Sequence, residues 1–70
     1  MDYVAIFSLI AKGLTVVQAL YEAGESALPA IEAISGVVTG AQSGSVTADQ
    51  LAQTEALLDQ MISDFNLEVV

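Results

Sequence analysis

Residues 3–21 form a long, almost uncharged stretch whose apolar side chains recur with the period of an α-helix. At 100° per residue these side chains fill one continuous half of the helix circumference, whereas Ser8, Lys12 and Thr15 fall on the other half. An ordinary surface helix carries an apolar stripe of roughly 100°. We therefore predict a first helix over residues 2–22 that is covered on more than one side.

A second helix is predicted over residues 26–39, after a stop at Gly24. Ser26 suits the N-cap because a serine hydroxyl can accept a hydrogen bond from a free amide of the first turn. Pro29 then falls in that first turn, where its missing N–H costs nothing. The sequence GAQSGS of residues 40–45 predicts the loop that follows.

The third helix, predicted over residues 47–65, has the strongest local start signal in the chain. Thr47 is suited to the N-cap, and Gln50 three residues later completes a capping box. Asn66 is suited to a left-handed stop. The C-terminal tail, residues 66–70, is mostly apolar, so we expect it to dock on this chain or on a partner.

These patterns predict a single all-α domain over residues 1–70, a small three-helix bundle with short connections. A chain of 70 residues buries only ~60% of its unfolded surface and is marginal alone. It has no cysteine and no histidine, so disulfides and zinc–thiolate sites are excluded as sources of stability. Oligomerisation, or packing on a larger assembly, is the source that remains.

The formal net charge of −8 excludes several classes of partner. Nucleic-acid binding depends on Lys and Arg contacts to phosphate, and this chain has one basic residue. The charge also argues against an anionic membrane surface. A membrane-spanning first helix is disfavoured because Lys12 would lie near its centre, at a cost of ~2.5–3.5 kcal/mol. We expect no cofactor, no metal and no enzymatic activity.

Two pairs of side chains have the spacing of catalytic or metal-binding residues. Ser8 and Lys12 are four residues apart on the first helix, as in a Ser–Lys nucleophile and base, but a solvated polar face explains both. Glu55 and Asp59 are four apart on the third helix and resemble a carboxylate pair for a divalent cation. A solvated acidic face is the simpler interpretation of that pair.

Two surfaces are candidates for protein contacts. The predicted association face combines the apolar side of the first helix with a strip of small residues on the second, and comprises Tyr3, Ile6, Ile10, Val17, Ala33, Gly36 and Gly40. The predicted acidic docking face lies on the third helix and comprises Asp49, Glu55, Asp59 and Asp64. Residues 46–70 hold five acids and no base, so this face serves a basic partner, mimics the phosphates of DNA, or provides solubility alone.

Residues 45–66, SVTADQLAQTEALLDQMISDFN, resemble the closing helix of small Ala-rich helical proteins of tailed bacteriophages. The shared features are a Thr cap, then Gln-Leu, then Glu-x-x-Leu-Asp. Residues 19–34, ALYEAGESALPAIEAI, are similar to their middle section. Most such proteins have no assigned activity, so the resemblance implies a viral context only: a virion component or a host-directed binding protein, located in the virion or the host cytoplasm.

Three functions follow in order of preference. The first is a non-enzymatic structural or assembly protein that forms a homo-oligomer or packs on a larger assembly such as a phage particle. The second is an acidic inhibitor or host-directed protein that docks on a basic partner. The third is a holin-like membrane protein with the first helix inserted.

Overall fold

The computed structural model describes residues 3–68, which over that range form three α-helices and no strand. The helices are α1 (Tyr3–Glu22), α2 (Leu28–Ser43) and α3 (Ala48–Asp64). Each helix packs against both others in a body of 34 × 16 × 16 Å. The prediction of a small all-α three-helix bundle is therefore confirmed. Asp2, where the first helix was predicted to begin, and residues 69–70 of the predicted tail lie outside the described residues.

Each helix ends in the same motif, in which a residue of left-handed conformation turns the chain back. These residues are Gly24 (φ 76°), Gly44 (φ 71°) and Asn66 (φ 51°). After α1, the amide of Glu25 donates to the carbonyl of Leu20 at 2.9 Å, and the amide of Gly24 donates to the carbonyl of Tyr21 at 3.1 Å. This hydrogen-bond pair defines the Schellman motif, which satisfies carbonyls left free at a helix end. The stops predicted at Gly24 and Asn66 are confirmed.

α2 differs from its prediction at both ends. Its N-cap is Ala27, which makes no side-chain cap, and not Ser26. The hydroxyl of Ser26 accepts only a long hydrogen bond of 3.4 Å from the amide of Leu28. At the other end the helix continues through residues 40–43, and Gly44 ends it. The predicted span of 26–39 is therefore too short at its C-terminal end.

α2 continues past Gly40, and the following loop packs against that glycine. A Cβ added to Gly40 would lie 2.7 Å from Cγ2 of Val46. The glycine therefore leaves room for the Val46 side chain, and it does not stop the helix. The predicted loop at residues 40–45 is wrong for its first four residues, and the left-handed turn falls at the second glycine of GAQSGS.

The start of α3 is confirmed in detail. Oγ1 of Thr47 accepts from the amide of Gln50 at 3.2 Å, and Oε1 of Gln50 accepts from the amide of Thr47 at 2.9 Å. These reciprocal hydrogen bonds form the predicted capping box. Val46 and Leu51, on either side of the cap, both pack against the core.

The core is built from one seam on each helix. On α1 the buried residues are spaced alternately three and four apart, and we call them the core seam: Ile6, Leu9, Gly13, Val16 and Leu20. The other buried residues are Ala27 at the N-cap of α2, Ala30 and Val37 on α2, and Leu58 and Met61 on α3. This alternation is that of positions a and d in a heptad, the spacing by which helices pack at small crossing angles. No polar or charged side chain is buried among the described residues.

Gly13 allows the closest approach between α1 and α2. A Cβ added there would lie 2.6 Å from Cδ1 of Ile34. The absence of a side chain at Gly13 thus leaves room for Ile34 to pack directly against the backbone of α1. Gly36 contrasts with it, because a Cβ at Gly36 would meet nothing within 4 Å.

Candidate protein-association surface

A second apolar seam runs along α1 beside the core seam. It comprises Tyr3, Phe7, Ile10, Leu14, Val17 and Tyr21, and we call it the outer stripe. Its spacing alternates between four and three residues, and at 100° per residue all six positions fall within about 80° of the helix circumference. A heptad-spaced apolar stripe is the surface by which one helix packs on another.

Most of the outer stripe is exposed in the bundle. Tyr3 is 58% exposed, Phe7 65%, Leu14 55% and Tyr21 76%. The other two stripe residues are half-buried and pack against the core. The rings of Tyr3 and Phe7 stack on each other with centroids 6.4 Å apart. The result is a continuous apolar surface from the first to the last turn of α1, of the kind that marks a contact site.

α2 widens this surface on one side. A groove of about 260 Å³ lies between the N-terminal part of α1 and the C-terminal part of α2. Its lining residues are Tyr3, Ile6, Phe7, Ile10, Val38, Ala41 and Gln42. Ile31 lies seven residues before Val38 and therefore shares its helix face, with Leu28 next to it. Ile31 and Leu28 are 44% and 58% exposed, so the apolar surface continues onto α2.

Charge is kept away from the outer stripe. Lys12, the one basic residue of the chain, lies about 180° around α1 from the centre of the stripe. There its Nζ forms an ion pair with Oδ1 of Asp59 on α3, at 2.5 Å. None of the six stripe residues is an Asp, Glu, Lys or Arg. A chain with a net charge of −8 thus presents one long uncharged side.

The structure separates the residues predicted for association. Tyr3, Ile10 and Val17 belong to the outer stripe. Ile6 is 1% exposed and belongs to the core seam. In this fold its side chain contacts the other helices of its own chain and is not available to a partner.

The predicted strip of small residues lies on a different side of α2. Ala33 and Gly36 line the groove between α2 and α3, opposite Gln50 and Gln53. Gly36 is open to this groove, and Gly40 is covered by the loop residue Val46. The strip and the outer stripe therefore do not form one continuous face.

Three exposed residues of the outer stripe, Phe7, Leu14 and Tyr21, were not among the predicted association residues. The pattern that identifies them is in the sequence. Five of the six stripe positions follow the core seam by one residue, so that each core residue is followed by another apolar side chain. This doubled heptad indicates two neighbouring seams on one helix.

The predicted acidic face occupies the outer half of α3. Asp49, Glu55, Asp59 and Asp64 are all exposed. Asp59 forms the ion pair with Lys12, and the side chain of Asp59 is 55% exposed. The face is thus accessible, and one of its four carboxylates is used within the chain.

The fold joins one member of the candidate catalytic pair to one member of the candidate metal-binding pair. Lys12 forms an ion pair with Asp59, while Ser8 is exposed on the first helix. Within residues 3–68 no three Asp or Glu side chains come together in a group that could hold a metal ion.

α1 is the one helix within the described range that is long and apolar enough to cross a bilayer. Core helices of soluble proteins satisfy the same criterion, but they are mostly buried. In this bundle 28% of the most apolar 18-residue stretch of α1 is buried. The apolar surface of α1 is therefore larger than the part that packs against α2 and α3.

No protein family model matches the chain, and no curated protein or solved structure gives a significant match.

Proposed function

We propose that the chain is a non-enzymatic assembly protein, a three-helix unit that associates with itself or with a larger assembly through the outer stripe. The observation that supports this function most directly is the exposure of the stripe: Phe7, Leu14 and Tyr21 are each more than half exposed on an uncharged side of an acidic protein. The phage particle is the assembly suggested by the resemblance of residues 45–66.

The free energy of apolar burial favours covering this surface. Each Å² of apolar surface removed from water contributes roughly 25 cal/mol. A Phe or Leu side chain that goes from full exposure to full burial contributes about 1.5–3 kcal/mol. Burial of several half-exposed side chains in one stripe together favours a protein contact against the cost of association. An exposed polar helix face offers no such gain.

A matched pair of substitutions tests this function. Leu14→Ser alters the outer stripe, whereas Leu57→Ser makes the same change at a similarly exposed leucine of α3, where 44% of the residue is exposed. We expect the wild-type chain and Leu57→Ser to elute from a native extract of the source cell in a particle larger than 7.2 kDa. We expect Leu14→Ser to elute at the mass of the free chain.

Circular dichroism of the purified variants should show equal helix content, which separates association from folding. The proposed function is contradicted if the wild-type chain already elutes at 7.2 kDa, or if both substitutions release it equally.

A second function, docking of the acidic face on a basic partner, is supported by the exposure of all four acids of that face. Opposite charges at an exposed interface are screened by salt. A particle held in this way should dissociate when the salt concentration is raised and should be lost on Asp64→Asn, while Leu14→Ser should leave it intact. These responses are the reverse of those expected for the outer stripe.

A third function, insertion of α1 into a membrane, is supported by its length and composition. Fractionation distinguishes it from the other two, because an inserted chain is recovered in the membrane pellet and needs detergent for extraction. Recovery in the supernatant without detergent contradicts insertion.

A further inference from the structure

We infer that the occupant of the outer stripe is the outer stripe of a second copy, packed antiparallel in a two-fold symmetric dimer. This inference rests on the proposed function and adds the identity and orientation of the partner. A two-fold interface uses the same surface on both subunits, so the surface must complement itself.

The spacing of the outer stripe meets that requirement in the antiparallel orientation. The intervals between its residues are four, three, four, three and four, which read the same in both directions. When two copies run antiparallel with their centres aligned near Lys12, every stripe residue faces another stripe residue. The resulting pairs are Tyr3 with Tyr21, Phe7 with Val17, and Ile10 with Leu14.

The side-chain sizes also suit this alignment. The largest side chain of the stripe interior, Phe7, faces the smallest, Val17, and large residues pack best opposite small ones. Tyr3 and Tyr21 meet at the two ends of the interface, where their hydroxyl groups remain in contact with water. A parallel alignment instead places Phe7 against Phe7 and leaves Val17 against Val17.

The helix dipoles favour the same orientation. Glu22 is the last residue of α1 and Glu25 follows it, at the negative end of the helix dipole. In a parallel dimer these carboxylates come together with their copies at that negative end. In an antiparallel dimer they lie beside the N-terminal, positive end of the partner helix, although Asp2 precedes that helix in the sequence. The acidic face of α3 and Lys12 stay on the far side of each subunit.

A dimer of standard size uses the whole long side of the molecule. That side measures 34 × 16 Å, which is about 540 Å² in flat projection. A standard interface uses about 800 Å² of accessible surface on each partner, and a ridged surface has more accessible area than its projection. The interface therefore includes Ile31 and Leu28 on α2 as well as the outer stripe.

Cysteine cross-linking tests the orientation, since the chain has no cysteine of its own. Tyr3→Cys and Tyr21→Cys place thiols at opposite ends of α1, about 27 Å apart along the helix. A disulfide requires Cα atoms within about 7 Å. Under mild oxidation we expect a disulfide dimer only in a mixture of the two variants, and little with either variant alone. Gln60→Cys places a thiol on the exposed surface of α3 as a control. It should form a disulfide with neither Tyr3→Cys nor Tyr21→Cys.

Sedimentation equilibrium tests the identity of the partner. We expect the wild-type chain to have twice the mass of 7.2 kDa at micromolar concentration, and Leu14→Ser to raise the dimer dissociation constant at least about tenfold. Because both copies carry −8, salt should strengthen the dimer. Leu57→Ser should leave the dissociation constant unchanged.

Three results overturn the inference. Disulfides formed by Tyr3→Cys alone and by Tyr21→Cys alone indicate a parallel dimer. A wild-type monomer at high concentration that is nevertheless released from a native particle by Leu14→Ser indicates a different protein partner, and the proposed function then stands. A monomer that floats with phosphatidylcholine vesicles indicates that a bilayer covers the stripe.

Discussion

α1 and α3 both pack against α2 and end at the same end of the bundle, where residues near Ala19 and Phe65 line one pocket. They differ in what lies beside the core. On α3 the outer half carries Asp49, Glu55 and Asp64, as expected for a solvated helix. On α1 the neighbouring seam is apolar along its whole length. Two residues of the outer stripe, Ile10 and Val17, pack against the core, whereas its four exposed residues are additional to the needs of the fold: Tyr3, Phe7, Leu14 and Tyr21.

The largest effect expected from this comparison is a difference between the two seams of α1. Leu20→Ala removes a side chain that is fully buried, with 0% exposure, and should lower the free energy of unfolding by about 2–5 kcal/mol. Leu14→Ala, at 55% exposure on the outer stripe, should change it by less than about 0.5 kcal/mol when the chain is dilute and monomeric. Urea unfolding followed by circular dichroism gives both values. Equal losses would show that the outer stripe is part of the fold.

The next effect concerns two helical glycines, Gly13 on α1, which lies against Ile34, and Gly36 on α2, which faces open space. Gly13→Ala forces a Cβ against Ile34 and should lower the free energy of unfolding by about 1–3 kcal/mol. Gly36→Ala fills open space in the middle of α2 and should raise it by about 0.5–1 kcal/mol. Thermal unfolding of the two variants should therefore shift in opposite directions. Stabilisation by Gly13→Ala would contradict the close contact between α1 and α2.

The helices themselves could be predicted from the sequence because their signals are local. The capping box of Thr47 and Gln50 and the stop at Gly24 involve residues within one helical turn of each other, so no knowledge of the fold is needed. The end of α2 could not be predicted in this way. Gly40 lies inside the helix and accommodates the Val46 side chain, a contact with the loop beyond that the local sequence does not indicate.

The residues of the association surface could likewise not be predicted from local sequence signals alone. The sequence indicates that half of the α1 circumference is apolar, but it does not say which part of that half faces α2 and α3. Ile6 and Phe7 are neighbours of similar hydrophobicity, yet one is 1% exposed and the other 65%. Packing with the other helices decides between them, so the sequence alone does not separate Ile6, which faces the core, from Phe7, which faces outward.

A smaller effect is expected at the start of α3, the helix with a single apolar seam. There the N-cap residue Thr47 stabilises the first turn. Thr47→Ala removes the hydroxyl that caps the amide of Gln50 and should cost about 1 kcal/mol. Ser26→Ala, before α2, should cost only a few tenths of a kcal/mol because Ser26 makes no cap. Chemical unfolding of both variants measures the contrast. A larger loss for Ser26→Ala would place the cap of α2 at Ser26 after all.

The smallest effect concerns the ion pair that joins α1 to α3. Asp59→Asn breaks the contact with Lys12, and an ion pair between partly exposed groups should contribute at most about 0.5–1 kcal/mol. Glu55→Gln, also exposed on α3, serves as the control for a general reduction in negative charge. A loss for Asp59→Asn that exceeds the loss for Glu55→Gln and shrinks in high salt would locate the effect in the ion pair.

The central claim is that the outer stripe of α1 is covered when the protein associates, and the chain contains its own probe of that event. It has no tryptophan, and its two tyrosines, Tyr3 and Tyr21, both belong to the outer stripe. Acrylamide quenching of tyrosine fluorescence, measured against protein concentration, therefore reports the exposure of the stripe directly. We expect quenching to fall as the concentration rises, and to stay high throughout for Leu14→Ser. Quenching of the wild-type chain that remains high and constant up to the concentration at which sedimentation shows a dimer would contradict the account.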